Sequence, residues 1–78
     1  WDEQFAVFKA HEMKMPGLLT EAHWRIIWYL RNYYERKQVV PTVYETCRDN
    51  RIEIEDLTRL FPDGYHRGAV KVAGLRVR

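Results

Sequence analysis

Serine is absent from this 78-residue chain, cysteine occurs once, and there are only four glycines and three prolines. A serine nucleophile is therefore excluded within this stretch, and Cys47 has no partner for an internal disulfide. There is no second cysteine and no close-set histidine pair to build a metal cage, and no glycine-rich loop to cradle a phosphate. The reading calls for no metal and no cofactor. The longest apolar run, Ile26 to Leu30, is far short of the roughly 20 residues that a membrane span needs, and no cleavable signal pattern is visible. A soluble, cytoplasmic chain with no membrane partner is expected. It opens on Trp1 without an initiator methionine, so residues are expected to be missing at the start.

What is present is aromatic. Hydrophobic residues make up 46% and aromatics 14% of the chain, with three Trp, five Tyr and three Phe. A domain this small buries a limited share of its surface, and without a staple its stability must come from packing. Each large aromatic contributes about 150–250 Å² to that packing. Net charge is only +2, but its sign is uneven. From His66 onward there are Arg67, Lys71, Arg76 and Arg78 and no acid, which marks these four as candidate residues for binding a protein partner or nucleic acid.

Periodicity organises the chain into about five helices. Trp1, Phe5 and Phe8 fall on one face of a first helix, with Asp2 and Glu3 at its positive dipole end, and the pattern fades near Met13 before Met15-Pro16-Gly17 breaks it. Thr20 caps a second and longest helix running through Trp24, Ile27, Trp28, Leu30, Tyr33 and Tyr34 to Arg36 and Lys37. Apolar residues on more than one side make it the expected central element. Val39, Val40 and Pro41 end it. Thr42 and Glu45 then have the spacing of a capping box opening a third helix, whose inner face is expected to hold Val43, Tyr44 and Cys47. Ile54, Leu57 and Phe61 mark a short fourth helix closed by Pro62-Asp63-Gly64. A last helix is expected from Tyr65 to Ala73, with Ala69, Val72 and Ala73 inward and Gly74 stopping it. The strand-forming runs are too short for a sheet, so the fold class is all-α.

Catalytic constellations do not emerge. Cys47 falls where a helical pattern buries it, and buried thiols are inert. His11, His23 and His66 lie on three different elements without carboxylate partners and are expected to be surface or satisfied core residues. Glu53, Glu55 and Asp56 open the fourth helix, where acids serve as capping and dipole charge. The chain is thus expected not to be an enzyme. The second and third helices around Pro41 have the outline of a helix-turn-helix, which keeps nucleic-acid binding open as an alternative, although Glu45 and Asp49 leave the third helix without a conspicuous basic face.

The motifs themselves are familiar. Leu19-Thr20-Glu21-Ala22-His23-Trp24, Leu30-Arg31-Asn32-Tyr33-Tyr34 and Pro41, then Leu60-Phe61-Pro62-Asp63-Gly64 and Ala69-Val70-Lys71-Val72-Ala73-Gly74-Leu75, resemble the DsrC/TusE family in order and spacing. Trp1 matches a tryptophan that opens the family's first helix. The resemblance implies a small orthogonal helical bundle with a helix-turn-helix-like centre. It implies docking to protein partners of sulfur metabolism, a sulfite reductase or a sulfurtransferase complex. It also implies an N-terminal hairpin and a C-terminal arm carrying a redox or persulfide cysteine. Both lie outside residues 1–78, which are expected to form a single domain. Val70 stands where the upstream cysteine of DsrC proper would fall, and Cys47 matches no sulfur-carrying position. Two expectations stay open: the arm has been removed from this chain, or the chain is a cysteine-less relative that kept the docking surface and became regulatory or a competitor, which Arg76-Val77-Arg78 in place of the arm's Pro-rich start slightly favours. Should two of Trp28, Tyr29 and Tyr33 face solvent together, that patch is the expected docking surface.

Overall fold

The computed structural model describes residues 1–13 and 19–75. Asp2 is extended and its carboxylate accepts the Phe5 N–H at 2.8 Å, which starts α1 (Glu3–Glu12). Thr20 starts α2 (Glu21–Lys37). Its backbone N–H is accepted by His23 Nδ1 at 3.0 Å, and its hydroxyl accepts the His23 N–H at 3.5 Å. The helix ends at Gln38, whose φ of 60° is left-handed, just ahead of Val39 to Pro41. The reciprocal Thr42–Glu45 box opens α3 (Val43–Asn50), with the two backbone N–H groups accepted at 3.2 and 3.1 Å. Asp56 accepts the Glu53 N–H at 3.1 Å and opens α4 (Ile54–Leu60). The caps expected at Thr20, at Thr42 with Glu45, and in the acidic cluster before α4 are thus in place. The expected break at Met15-Pro16-Gly17 lies outside the described residues.

The final segment differs from the single helix expected over Tyr65–Ala73. A π-helical turn, Tyr65–Ala69, leads into α5 (Val70–Val72). The wider turn coincides with a close approach: a Cβ on Gly68 would stand 3.2 Å from the Phe61 Cβ, a tight contact that a larger residue could make only if its neighbour shifted. Tyr65 is buried, its hydroxyl donating to the Pro41 carbonyl and lying 3.0 Å from Thr46 Oγ1. The turn before α3 and the final segment are thereby joined. Burial also pushes the Tyr65 hydroxyl pKa up to about 12.

The core is one cluster in which Ile26, Ile27 and Leu30 of α2 meet Leu57, Phe61, Val70, Val72 and Ala73. α1 packs on α5, α2 on both α3 and α5, and α3 on α4. The described residues contain five α-helices and no strand, as the patterning implied. Helix α2 is the central element, but three details differ from expectation. The face of α1 that reaches the core is Ala6 and Ala10, while Phe5 and Phe8 stay exposed, Phe8 at 63%. Small residues let α1 approach closely, and the aromatics flank that contact. Tyr44 is 72% exposed, so of the three residues expected on the inner face of α3 only Cys47 is buried and Val43 half-buried. Thr46 and Asn50 take the inward positions, with the Thr46 hydroxyl and the Asn50 amide bonded to the carbonyls four residues earlier. Ile54 is exposed as well.

Substituting Leu30→Ala removes a fully buried side chain and should cost about 2–5 kcal/mol, with Phe8→Ala within about 0.5 kcal/mol of wild type. Urea or thermal unfolding of the two variants checks this, and similar losses for both would place Phe8 in a packed contact.

Candidate functional site

The residues with reactive chemistry come first. Cys47 is 7% exposed. Burial is the main cause raising its thiol pKa, and the carboxylates of Glu53, Asp56 and Glu55 add to it. An electronegative, apolar setting suppresses the thiolate, in agreement with the structural role read from its position. His23 is fully occupied. Its Nδ1 accepts from Thr20 N–H, so Nε2 carries the hydrogen and donates to the Leu60 carbonyl at 2.8 Å. His11 and His66 are exposed, the latter edge-on to the Tyr65 ring at 5.0 Å. Among the described residues no group of His, Cys, Asp and Glu could hold a metal ion.

The carboxylates on α3 serve a seam. Tyr29 donates to Asp49 Oδ2 at 2.6 Å and Tyr33 to Glu45 Oε2 at 2.9 Å, tying α2 to α3. Glu45 is held below the usual carboxylate range first by the Thr42 backbone N–H and then by Tyr33. Asp49 is lowered by Tyr29 and then by Arg48, whose Nε lies 3.2 Å away. The two tyrosine hydroxyls are pushed up correspondingly, Tyr29 by burial first and Tyr33 by its bond to Glu45. Carboxylates engaged in this way are acceptors already in use, so neither Glu45 nor Asp49 is poised as a general base. The seam also puts two negative groups beside Arg48, so α3 does not offer the basic stripe that a DNA-reading helix needs.

The remaining candidates lie on the surface. Arg67 and Lys71 are both exposed on the final helical segment, four positions apart, whereas Arg76 and Arg78 lie outside the described residues. The condition for an aromatic docking patch, two of Trp28, Tyr29 and Tyr33 facing solvent together, is not met, because Tyr33 is buried and Tyr29 half-buried. Their hydroxyls are drawn into the seam with α3, a non-local pairing that α2 periodicity does not encode. Trp28 is exposed beside a different partner, Trp1, with ring centroids 5.2 Å apart and planes nearly perpendicular. Along α1 an open apolar groove is lined by Val7, Phe8, Trp24 and His11, with Glu3 and Gln4 at its edge. Sequence reasoning placed Trp1, Phe5 and Phe8 on one face but did not single them out as a surface. No described helix is long and apolar enough to cross a membrane.

With this geometry in hand, comparison with known proteins is specific. The model of a family described as DsrC like protein matches residues 1–77. The sulfurtransferase TusE of Photorhabdus laumondii is 29% identical over an 82-residue alignment that covers 96% of this chain and 72% of the relative. The gamma subunit of the dissimilatory-type sulfite reductase of Nitratidesulfovibrio vulgaris is 34% identical over 57 residues, 73% of this chain and 54% of that one. Among solved structures, a chain in the crystal structure of dissimilatory sulfite reductase I superposes with a TM-score of 0.92 at 27% identity, over 100% of this chain and 74% of its own. The oxidized gamma subunit from Archaeoglobus fulgidus gives 0.83 at 32% identity, over 100% and 76%.

Two solution properties follow from the site. A carboxyl whose pKa is lower in the folded state adds stability above its unfolded value and loses it as the pH falls through the folded value. Unfolding midpoints should therefore decline below about pH 4, and the Glu45→Gln, Asp49→Asn double variant should show a shallower decline; an unchanged slope would remove the seam as its source. Native Cys47 should react with iodoacetamide at neutral pH on the order of 100-fold more slowly than the denatured chain, and equal rates would show an accessible thiolate.

Proposed function

The chain belongs to the family of DsrC-like proteins, and from that premise we propose that it is a cytoplasmic sulfur-metabolism protein that docks to protein partners and does not catalyse a reaction by itself. The partners proposed are a dissimilatory sulfite reductase or a sulfurtransferase relay, the assemblies named in its relatives. The observation that carries this reading is the family match over residues 1–77, on a fold whose described residues hold no metal-ligand group and no exposed thiol. A buried cysteine cannot pass sulfur between two partner sites, because exchange requires an accessible thiolate. Residues 1–78 therefore act as the docking body, and any sulfur they help to move sits on a thiol of a partner or of chain outside this stretch.

For the contact itself the proposal keeps Arg67 and Lys71, continued in sequence by Arg76 and Arg78. Arg67 and Lys71 are exposed and, among the described residues, neither is in an ion pair. Exposed cations of this kind steer encounter with an acidic partner surface and govern the rate of association more than its final strength. Nucleic acid is not part of the proposal: the relatives named above are proteins of sulfur chemistry, and Arg48 on α3 is taken up by Asp49.

Calorimetric titration with purified dissimilatory sulfite reductase, and separately with a sulfurtransferase complex, tests the reading. At least one should bind, with the Arg67→Glu, Lys71→Glu double variant weaker by about tenfold. Failure of both partners to bind sinks the function. Binding that is indifferent to the double variant removes the basic contact and leaves the function standing.

A further inference from the structure

The C-terminal end of a helix leaves its last four carbonyls without intrahelical donors. At the end of α5 all four are met, and in two different ways. The chain itself supplies a Schellman turn: Gly74 N–H donates to the Lys71 carbonyl at 2.9 Å and Leu75 N–H to that of Val70 at 3.1 Å. The other two are reached from far away in sequence. Trp1 Nε1 donates to the Val72 carbonyl at 2.9 Å, and Arg31 Nη1 to that of Ala73 at 2.7 Å.

These two donors also hold each other. The Arg31 guanidinium lies 4.2 Å from the centre of the Trp1 ring, and Trp28 meets the same ring edge-on at 5.2 Å. Gly74 completes the arrangement. Its φ of +74° is left-handed, and a Cβ there would fall 2.2 Å from Trp1 Cδ1. The ring is pinned by its hydrogen bond, by Arg31 and by Trp28, so it has little freedom to yield. Trp1 and Trp28 are each more than a third exposed, which sets the cluster on the rim of the bundle, apart from the fully buried Leu30 and Phe61.

We propose that Trp1, Arg31 and Gly74 form a clamp that holds the backbone of Gly74 and Leu75 in a fixed orientation on the bundle, and that the clamp opens as a unit without unfolding the packing of α2, α3 and α4. Trp1 and Arg31 are then positioning residues for the Gly74–Leu75 backbone. The local Schellman turn meets only two of the four carbonyls. The donors for the other two come from the first residue and from the middle of α2, and both converge on the last two carbonyls before the exit. The proposal rests on these contacts alone and stands whether or not the partner is a sulfur protein.

Amide hydrogen exchange and residual dipolar couplings test it on the wild type, on Arg31→Ala and on Trp1→Phe, which keeps an aromatic ring and loses the donor together with part of the ring's bulk. In the wild type the Gly74 and Leu75 N–H couplings should fit the alignment tensor of α2 and α3. Arg31→Ala should speed exchange at these two amides by about tenfold, the weight of one charge-assisted hydrogen bond, and take their couplings off the common tensor while α3 exchange stays unchanged. Trp1→Phe should act in the same direction and less strongly. Wild-type couplings that do not fit, or variants that leave exchange at Gly74 and Leu75 unchanged, overturn the clamp. Equal acceleration throughout α3 overturns its independence and reduces it to general stability.

Discussion

Three helices of this bundle end on side chains of a fourth. His23 donates to the last carbonyl of α4 at Leu60, Arg25 to the last carbonyl of α3 at Asn50, 3.2 Å away, and Arg31 to Ala73 at the end of α5. All three donors belong to α2. The C-terminal end of a helix carries unpaired carbonyls and the negative end of its dipole, so cationic or N–H-rich side chains are the fitting partners. A chain with no disulfide and too few residues for a large core needs its helix ends satisfied somewhere, and here one long helix does it for the others. Its buried face, Ile26, Ile27 and Leu30, fixes how α3 and α5 lie. Its polar flanks meet the terminal carbonyls of α3, α4 and α5.

That division explains which parts of the structure were legible in the sequence. Caps are local, so Thr20, Thr42 with Glu45, and the acids before α4 could be placed from spacing alone. The burial of Cys47 followed from its helical register. Which of two apolar faces meets the core is a different question, and α1 shows why. Periodicity puts Trp1, Phe5 and Phe8 together, but close helix contact favours the smaller Ala6 and Ala10 on another side. Tyr44 and Ile54 are exposed for another reason, since an apolar residue near the helix N-terminus can point past its neighbour into solvent. The π-helical turn at Tyr65–Ala69 has no periodic signature. It coincides with the tight packing of Gly68 against Phe61, a contact visible only in three dimensions.

The family motifs carried information that bare patterning did not. His23, Arg31 and Gly74 stand inside the stretches that resemble DsrC/TusE proteins, and each proves to be a tether at a helix end. Trp1 and Val72 are 71 positions apart and share a hydrogen bond that no local rule suggests. Tyrosines occupy the α3 carboxylates, burial suppresses the one thiol, and His23 is committed at both nitrogens.

The central claim is that this body docks, folded and largely unchanged, to a protein of sulfur metabolism. Nuclear magnetic resonance titration of the labelled chain with dissimilatory sulfite reductase addresses it most directly. The account predicts shift changes and line broadening confined to one contiguous surface that includes Arg67 and Lys71, with the core amides of α2 unmoved. Perturbation centred on α3 and produced by duplex DNA, with none from the reductase, would contradict it.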